Sequence, residues 1–190
     1  MKDIAILGAG GLAREVAFLV EEINRDAPVW RILGFVEAEQ NRVGTAVGEY
    51  KITLSDAELE QMHLSVAIGI GTPAVVARVT RRLTRHKDLY FPNLMHPGTI
   101  WDETRVALGQ GNVICAGNLL TTDIRFGSYN FVNLGCTIGH DVVVGDCCVV
   151  SPRACISGGV KIGNECLIGA GRPSCSTSQS ETARSSVPVR

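Results

Sequence analysis

The sequence predicts a two-part chain, an α/β unit built on a parallel sheet followed by an all-β prism of short strands. Two observations predict it. Up to about residue 95, apolar strand-like runs alternate with segments whose apolar residues recur at helical spacing. From about residue 100 the apolar period becomes six, which belongs to neither a helix nor an ordinary strand.

The first unit opens on the strand IAIL (4 to 7), which runs into Gly8-Ala-Gly10-Gly11-Leu12-Ala13, and Leu12, Val16, Leu19, Val20 and Ile23 then recur at helical spacing. A second strand covers 32 to 37 and ends on Glu37. Ser55-Asp-Ala-Glu58 is a capping-box signature for a short helix, 66 to 70 reads as a third strand, and Thr72-Pro73 starts a helix to about Leu83. The glycine loop has the G-x-G-x-x-A form between a strand and a helix, so it turns backbone N–H groups and a helix N-terminus toward a phosphate. A unit of about 90 residues makes one mononucleotide-binding half and not the usual two, which points to a single nucleotide and away from a dinucleotide-dependent dehydrogenase. The bland alternative is a glycine turn that only packs helix on strand.

In the second unit Leu108, Ile114, Leu120, Phe126, Val132, Ile138, Val144, Val150, Ile156, Ile162 and Ile168 stand six apart, and none is polar. Small or compact residues recur four places later, as at Asn118, Cys136, Cys148, Ala154 and Cys166, and glycine often follows the aliphatic residue. Short strands joined by tight turns around a prism have this period, with an inward aliphatic residue per strand and an inward small residue per corner. If three hexads make one coil, Thr122, His140 and Gly158 stack in one column, about 4.8 Å apart. An imidazole then lies beside a residue with no side chain and a bare backbone N–H, the base and oxyanion donor that acyl transfer needs. Histidine suits such work because its neutral form is abundant near neutral pH, and Asp141 follows it to orient the ring. Of the other histidines, His63 and His86 read as solvent-facing and His96, before Pro97, as part of the linker.

The hexads IGHDVV, VGDCCV, VSPRAC, ISGGVK and IGNECL resemble the hexapeptide repeat of left-handed β-helix acyltransferases over about residues 100 to 171. Parallel crossovers are generally right-handed, so the left hand is implied by the resemblance alone. With GAGGLAREVA, GFVE, AIG, FPNLMHP and NLGCTIGHD added, the chain up to Gly171 resembles the bacterial acetyltransferases of sialic acids and nucleotide-linked amino sugars, which carry a Rossmann-like domain before the β-helix. The resemblance implies domains at 1–95 and 96–171, with His140 and Asp141 as the catalytic pair and Asn133 near the sugar. It also implies Gly158 on the thioester oxygen, and Ser157 with Gly158 lining the coenzyme A cleft. Gly10, Gly11 and Leu12 would contact the nucleotide, Glu37 its ribose or base, and Gly69 would allow close backbone approach. Many relatives carry histidine at the place of Leu12, and often glycine at that of Arg153.

The resemblance further implies acetyl-CoA as co-substrate, a nucleotide-linked sugar as acceptor and a homotrimer with sites between subunits. Flat, weakly charged prism faces suit self-association. The amine of a nucleotide-linked amino sugar is the preferred acceptor, because the glycine loop makes little sense without a nucleotide to hold. Sialic acid O-acetylation and a weakly active or inactive nucleotide-sugar binder are the alternatives. With 18 Lys and Arg against 19 Asp and Glu and no basic block, nucleic acid and anionic membrane are not expected partners. The seven cysteines read as reduced, small apolar fillers, with no metal site proposed. The N-terminus does not read as a signal peptide and no run reaches bilayer length, so a soluble cytoplasmic protein is expected. Residues 172 to 190 put serine at 174, 180 and 186, where the register calls for aliphatic residues, and read as an irregular tail.

Overall fold

The computed structural model describes residues 1–171 and the backbone of 173–174. The first unit runs β1 (Lys2–Leu7), α1 (Gly11–Asp26), β2 (Trp30–Glu37), a 3-10 turn at Gln40–Arg42, β3 (Ala46–Val47) and β4 (Tyr50–Ser55). It continues with α2 (Asp56–Leu59), β5 (Leu64–Ile68), α3 (Pro73–Leu83) and β6 (Leu89–Tyr90). The strands order as β3-β4-β2-β1-β5-β6, parallel except for the β3–β4 hairpin. β1 sits near the centre of the sheet and is apolar from Ile4 to Leu7, with Ile4, Ala5 and Ile6 fully buried. α1 buries Ala13, Val16, Ala17, Leu19 and Val20 against it, the face that the helical spacing marks. α2 is set by the expected capping box, in which Ser55 Oγ accepts from the Glu58 backbone and the Glu58 carboxylate from the Ser55 N–H. The Ser55 N–H and, after it, the Ser55 hydroxyl at 2.9 Å donate to the Glu58 carboxylate and hold it below the usual range.

The second unit is a three-sided prism of two- and three-residue parallel strands. One face stacks Leu94–Met95, Val113–Ile114, Phe131–Val132, Val149–Val150 and Leu167–Ile168. A second stacks Ile100–Trp101, Leu119–Leu120, Thr137–Ile138, Cys155–Ile156 and Pro173–Ser174. The third stacks Val106–Leu108, Ile124–Phe126, Val143–Val144 and Lys161–Ile162. The prism therefore starts at Leu94, and the α/β sheet ends at Tyr90. All eleven six-spaced apolar residues belong to the prism core, with Leu108 and Ile168 only partly buried at its ends. One extra residue enters the first coil between Trp101 and Leu108, in a turn where Asp102 Oδ1 accepts from the Thr104 N–H and Oγ.

Every sixth residue from Gly111 to Gly171 has φ between +55° and +74°, including Asp123, Tyr129, Asp141, Cys147, Arg153 and Glu165. The left-handed residue of each corner thus lies three places after the aliphatic one and is as often polar as glycine. The glycine directly after the aliphatic residue has another cause. A Cβ on Gly139 would come within 2.6 Å of the Gly158 nitrogen, so the stacked coils leave no room for one.

At one corner a ladder of asparagines, exposed Asn93 and buried Asn112 and Asn130, satisfies the turn backbone. Asn93 Oδ1 accepts from Asn112, Asn112 Oδ1 from the Asn130 N–H at 3.0 Å, and Asn130 Oδ1 from the Cys148 N–H at 2.8 Å. Next to it, Ser128 Oγ accepts from the Gln110 N–H, Asp146 from Ser128 and Asn164 from Asp146.

The α/β unit covers the first face. Leu94, Val113, Phe131 and Val149 point outward from the prism yet are 1 to 6% exposed, because they share a core with Val16, Leu19 and Val20 of α1. Cys147 joins the α3 core in the same way. His96, expected in a linker, lies at the first prism corner, half-buried with Nε2 3.9 Å from Glu22 of α1. His63 is exposed as expected, while His86 is half-buried, 3.6 Å from Glu60. Pro173–Ser174 still pairs with Cys155–Ile156, so the backbone turns one corner beyond Gly171, where the repeat reads as ending. The rest of the expected irregular tail lies outside the described residues. Among the described residues no helix is long and apolar enough to cross a membrane.

Candidate active site

The corner between the second and third faces lies opposite the face covered by the α/β unit, and it carries the column Thr122, His140 and Gly158. The strands Leu119–Leu120, Thr137–Ile138 and Cys155–Ile156 pair in register, which fixes the three residues two places beyond them in one line. Asp141 N–H donates to Thr122 O at 3.2 Å and Gly159 N–H to His140 O at 2.8 Å, locking the turn between coils. The His140 side chain is 68% exposed, so the ring faces solvent and not the prism core.

His140 Nδ1 lies 2.8 Å from Asp141 Oδ2. A carboxylate in this position favours the neutral-ring tautomer with the proton on Nδ1 and the lone pair on Nε2. Asp141 is the left-handed corner residue with φ +59°, a conformation aspartate tolerates well, and the turn swings its carboxylate back toward the preceding ring. The ring lies over Gly158, where an added Cβ would stand 2.5 Å from Nε2 and 2.6 Å from Cε1. At the asparagine-ladder corner the equivalent N–H groups are satisfied by side chains one coil on. Here that side chain is missing at Gly158, and the His140 and Gly158 N–H groups have no acceptor among the described residues. Exposed Ser157 stands beside them. A base with an aimed lone pair and unpaired N–H donors at its edge suits an addition at a carbonyl carbon.

The glycine loop sits on the other unit, around a cavity of about 430 Å³ lined by Gly8, Gly10, Glu37, Gly69, Arg78 and Arg82, among others. Gly8 at φ +99° turns the chain from β1 into α1. α1 has no side-chain cap, its first helical bond runs from Arg14 N–H to Gly10 O, and the N–H groups of Gly10 to Ala13 are unpaired among the described residues. A side chain on Gly10 would meet nothing within 4 Å, so packing does not demand glycine there. Gly69 differs. It lines the cavity, but a Cβ there would stand 2.7 Å from Ala13 Cα, so the approach it permits is that of α1. Glu37 is mostly buried and 3.3 Å from Arg42. Gly11 is exposed, and Leu12 packs partly into the α1 core.

The structure thus assembles His140, Asp141, Ser157 and Gly158 at one corner and Gly10, Glu37 and Gly69 around one cavity, with Gly11 and Leu12 opening the adjoining helix. It does not join the two groups within the chain. Asn133 lies apart from both, on the corner between the first and second faces, where its Oδ1 accepts from the Leu134 N–H. Sequence reasoning missed Arg78 and Arg82, although Val75, Arg78, Val79 and Arg82 recur at helical spacing along one face of α3.

Residues 3–83 match the model of the PglD N-terminal domain family. No curated protein matches the chain by sequence. Among solved structures, WeeI from Acinetobacter baumannii AYE is 25% identical at a TM-score of 0.76, covering 90% of this chain and 79% of that one. A mutant of perosamine N-acetyltransferase from Caulobacter crescentus, in complex with CoA and GDP-perosamine, is 21% identical at 0.77, covering 92% and 89%. The acetyltransferase domain of PglB from Neisseria gonorrhoeae FA1090 is 17% identical at 0.59, covering 91% and 96%. The first unit is therefore similar to the PglD N-terminal domain, and the whole chain has the fold of these solved structures, a small Rossmann-like domain followed by a left-handed β-helix.

Proposed function

We propose that the protein is an acetyltransferase that moves the acetyl group of acetyl-CoA to the amine of a nucleotide-linked amino sugar. The observation that carries this reading is the seat of His140, solvent-facing, held at Nδ1 by Asp141 at 2.8 Å and laid over the bare backbone of Gly158. The perosamine N-acetyltransferase of like fold holds CoA and GDP-perosamine, which supports the same pair of substrate classes here.

In this reading the sugar amine adds to the thioester carbonyl while Nε2 of His140 takes its proton. Asp141 stabilises the imidazolium that forms, and the Gly158 N–H donates to the developing oxyanion. Collapse breaks the carbon–sulfur bond, forms the amide and returns the proton to the leaving thiolate, giving free CoA. Ser157 and Gly158 line the CoA side. Gly10, Gly11, Leu12 and Glu37 hold the nucleotide, and Asn133 meets the sugar. The glycine-loop cavity and the catalytic corner lie on opposite sides of the prism, so the chemistry is completed between chains, in a homotrimer where one subunit's nucleotide faces another's His140. A cytoplasmic location suits this pair of substrates.

A thiol-release assay with acetyl-CoA and a panel of UDP- and GDP-linked amino sugars, free amino sugars and sialic acid tests the reading. Release with a nucleotide-linked amine, lost in His140→Ala, is expected. Release only with sialic acid, or with none, overturns it.

A further inference from the structure

The asparagine ladder changes chemistry partway along its corner. Asn112 and Asn130 give way to Cys148 and Cys166, one coil apart at the same inward position. Val149 and Leu167 pair in register and the Val149 N–H donates to Cys166 O at 2.9 Å, so the two cysteines stand at the coil spacing of about 4.8 Å. A disulfide bridges Cα atoms about 4.4 to 6.8 Å apart. Both thiols are free and turn the same way. Cys148 Sγ lies 3.5 Å from Asp146 O and Cys166 Sγ 3.4 Å from Asn164 O, equivalent carbonyls of successive coils. Cys148 Sγ also donates to Gly163 O at 3.0 Å, which carries it across the gap toward the coil of Cys166. Among the described residues no other cysteine has a cysteine one coil away. Their access differs, since Cys148 is fully buried and Cys166 half-buried.

We propose that Cys148 and Cys166 form an oxidation site, closed to a disulfide by hydrogen peroxide, and that the bond staples the coil carrying Ser157 and Gly158. The inference stands apart from the acetyl-transfer reading. Peroxide meets Cys166 first, the accessible thiol. Its sulfur bonds to one peroxide oxygen as the O–O bond breaks, giving a sulfenic acid, and the other oxygen leaves as water with the thiol proton. The Cys148 sulfur then attacks the sulfenic sulfur. The S–S bond forms, the S–O bond breaks, and the hydroxyl leaves as a second water with the Cys148 proton. The two thiols together lose two electrons and the peroxide gains them. Burial pushes the Cys148 thiol up to about 12, so it is a poor first target, and closure quickens as pH rises. The cross-link closes the loop from 148 to 166, which includes the turn at Gly158 beneath the His140 ring. It restricts the unfolded chain more than the folded one, where the cysteines already stand one coil apart.

Peptide mass spectrometry of the full-length protein, reduced, freed of reductant and treated with hydrogen peroxide, tests this without any substrate. Peroxide is raised until exposed Cys155 is oxidised, which marks that the reagent has reached the protein. The parent should show a cross-link between 148 and 166, two hydrogens lighter than the paired thiol peptides and reversed by dithiothreitol. Its thermal midpoint should rise by about 4 to 10 °C on oxidation and return on reduction. Cys166→Ser should leave Cys148 as the thiol under the same treatment. Cys148→Ala introduces the residue that the prism already buries at Ala154, and should leave Cys166 as a sulfenic acid that dimedone traps. Oxidised Cys155 without the cross-link overturns the proposal, as does a cross-link confined to other cysteines or to pairs of chains. A cross-link that leaves the midpoint unchanged or lower overturns the staple. Oxidation of Cys148 in Cys166→Ser at the parental rate overturns the order of attack.

Discussion

Replacing Gly158 by alanine places a methyl group inside the ring of His140. The added Cβ would stand 2.5 Å from Nε2, 2.6 Å from Cε1 and 2.9 Å from Cδ2. Carbon contacts settle at about 3.5 to 4.0 Å, so the ring has to move by roughly 1 Å or more. The ring is exposed and swings out without disturbing the prism, and Gly158 is absent from the residues with positive φ, so alanine fits its backbone. The stability change should therefore stay within about 1 kcal/mol. Activity should not be spared, because a shift of about 1 Å in a positioned catalytic group costs on the order of a hundredfold. Steady-state thiol release and thermal unfolding, measured on the same preparations, separate the two effects. A variant with parental kcat/KM refutes the reasoning that the ring must lie over Gly158 to act. A variant that fails to fold refutes the claim that only the ring fills that space.

Asp141→Asn keeps a residue suited to φ +59° but removes the anion 2.8 Å from Nδ1, so kcat should fall about ten- to a hundredfold with little change in KM for the sugar. Rates at saturating acceptor check it, and an unchanged kcat would remove Asp141 from the mechanism. Asn130→Ala leaves the Cys148 N–H without its acceptor inside the prism and should cost about 1 to 3 kcal/mol in urea unfolding; a loss under about 0.5 kcal/mol would mean that the ladder is not structural. Burial first, then the Glu21 hydrogen bond, pushes the Tyr50 phenol up to about 12, and burial does the same for Tyr129. Their raised folded values mean that this stability is present below about pH 10 and is lost as pH rises toward about 12. Alkaline titration by phenolate absorbance should show both groups ionising late and together with unfolding, and early ionisation of either would contradict the packing.

Much of this was legible because hexad spacing and corner geometry have the same cause. A residue every six must point inward when three short strands complete a coil, so the aliphatic column and the Thr122, His140, Gly158 stack follow from counting. Other features leave weaker traces. The β3–β4 hairpin turns at Gly48 and Glu49 with φ +62° at the glycine, but two-residue β3 is too short to show alternation. The left-handed corner position escaped notice because Asp, Tyr, Cys, Arg and Glu occupy it as well as glycine, and the glycines that do stand out answer to coil stacking instead. Gly69 reads as a ligand contact in sequence and as a packing contact against Ala13 in space, a distinction only distance makes. Arg78 and Arg82 look alike along α3, and only the positions of Asp56 and Glu60 show that Arg82 is in an ion pair, while Arg78 has none among the described residues.

The role of His140 is tested most directly by chemical rescue. Acetyl transfer to a nucleotide-linked amino sugar should fall by about a hundredfold or more in His140→Ala, and added imidazole, entering the exposed space over Gly158, should restore part of it in proportion to its neutral form. Transfer by His140→Ala at the parental rate, with no need for imidazole, would contradict the account.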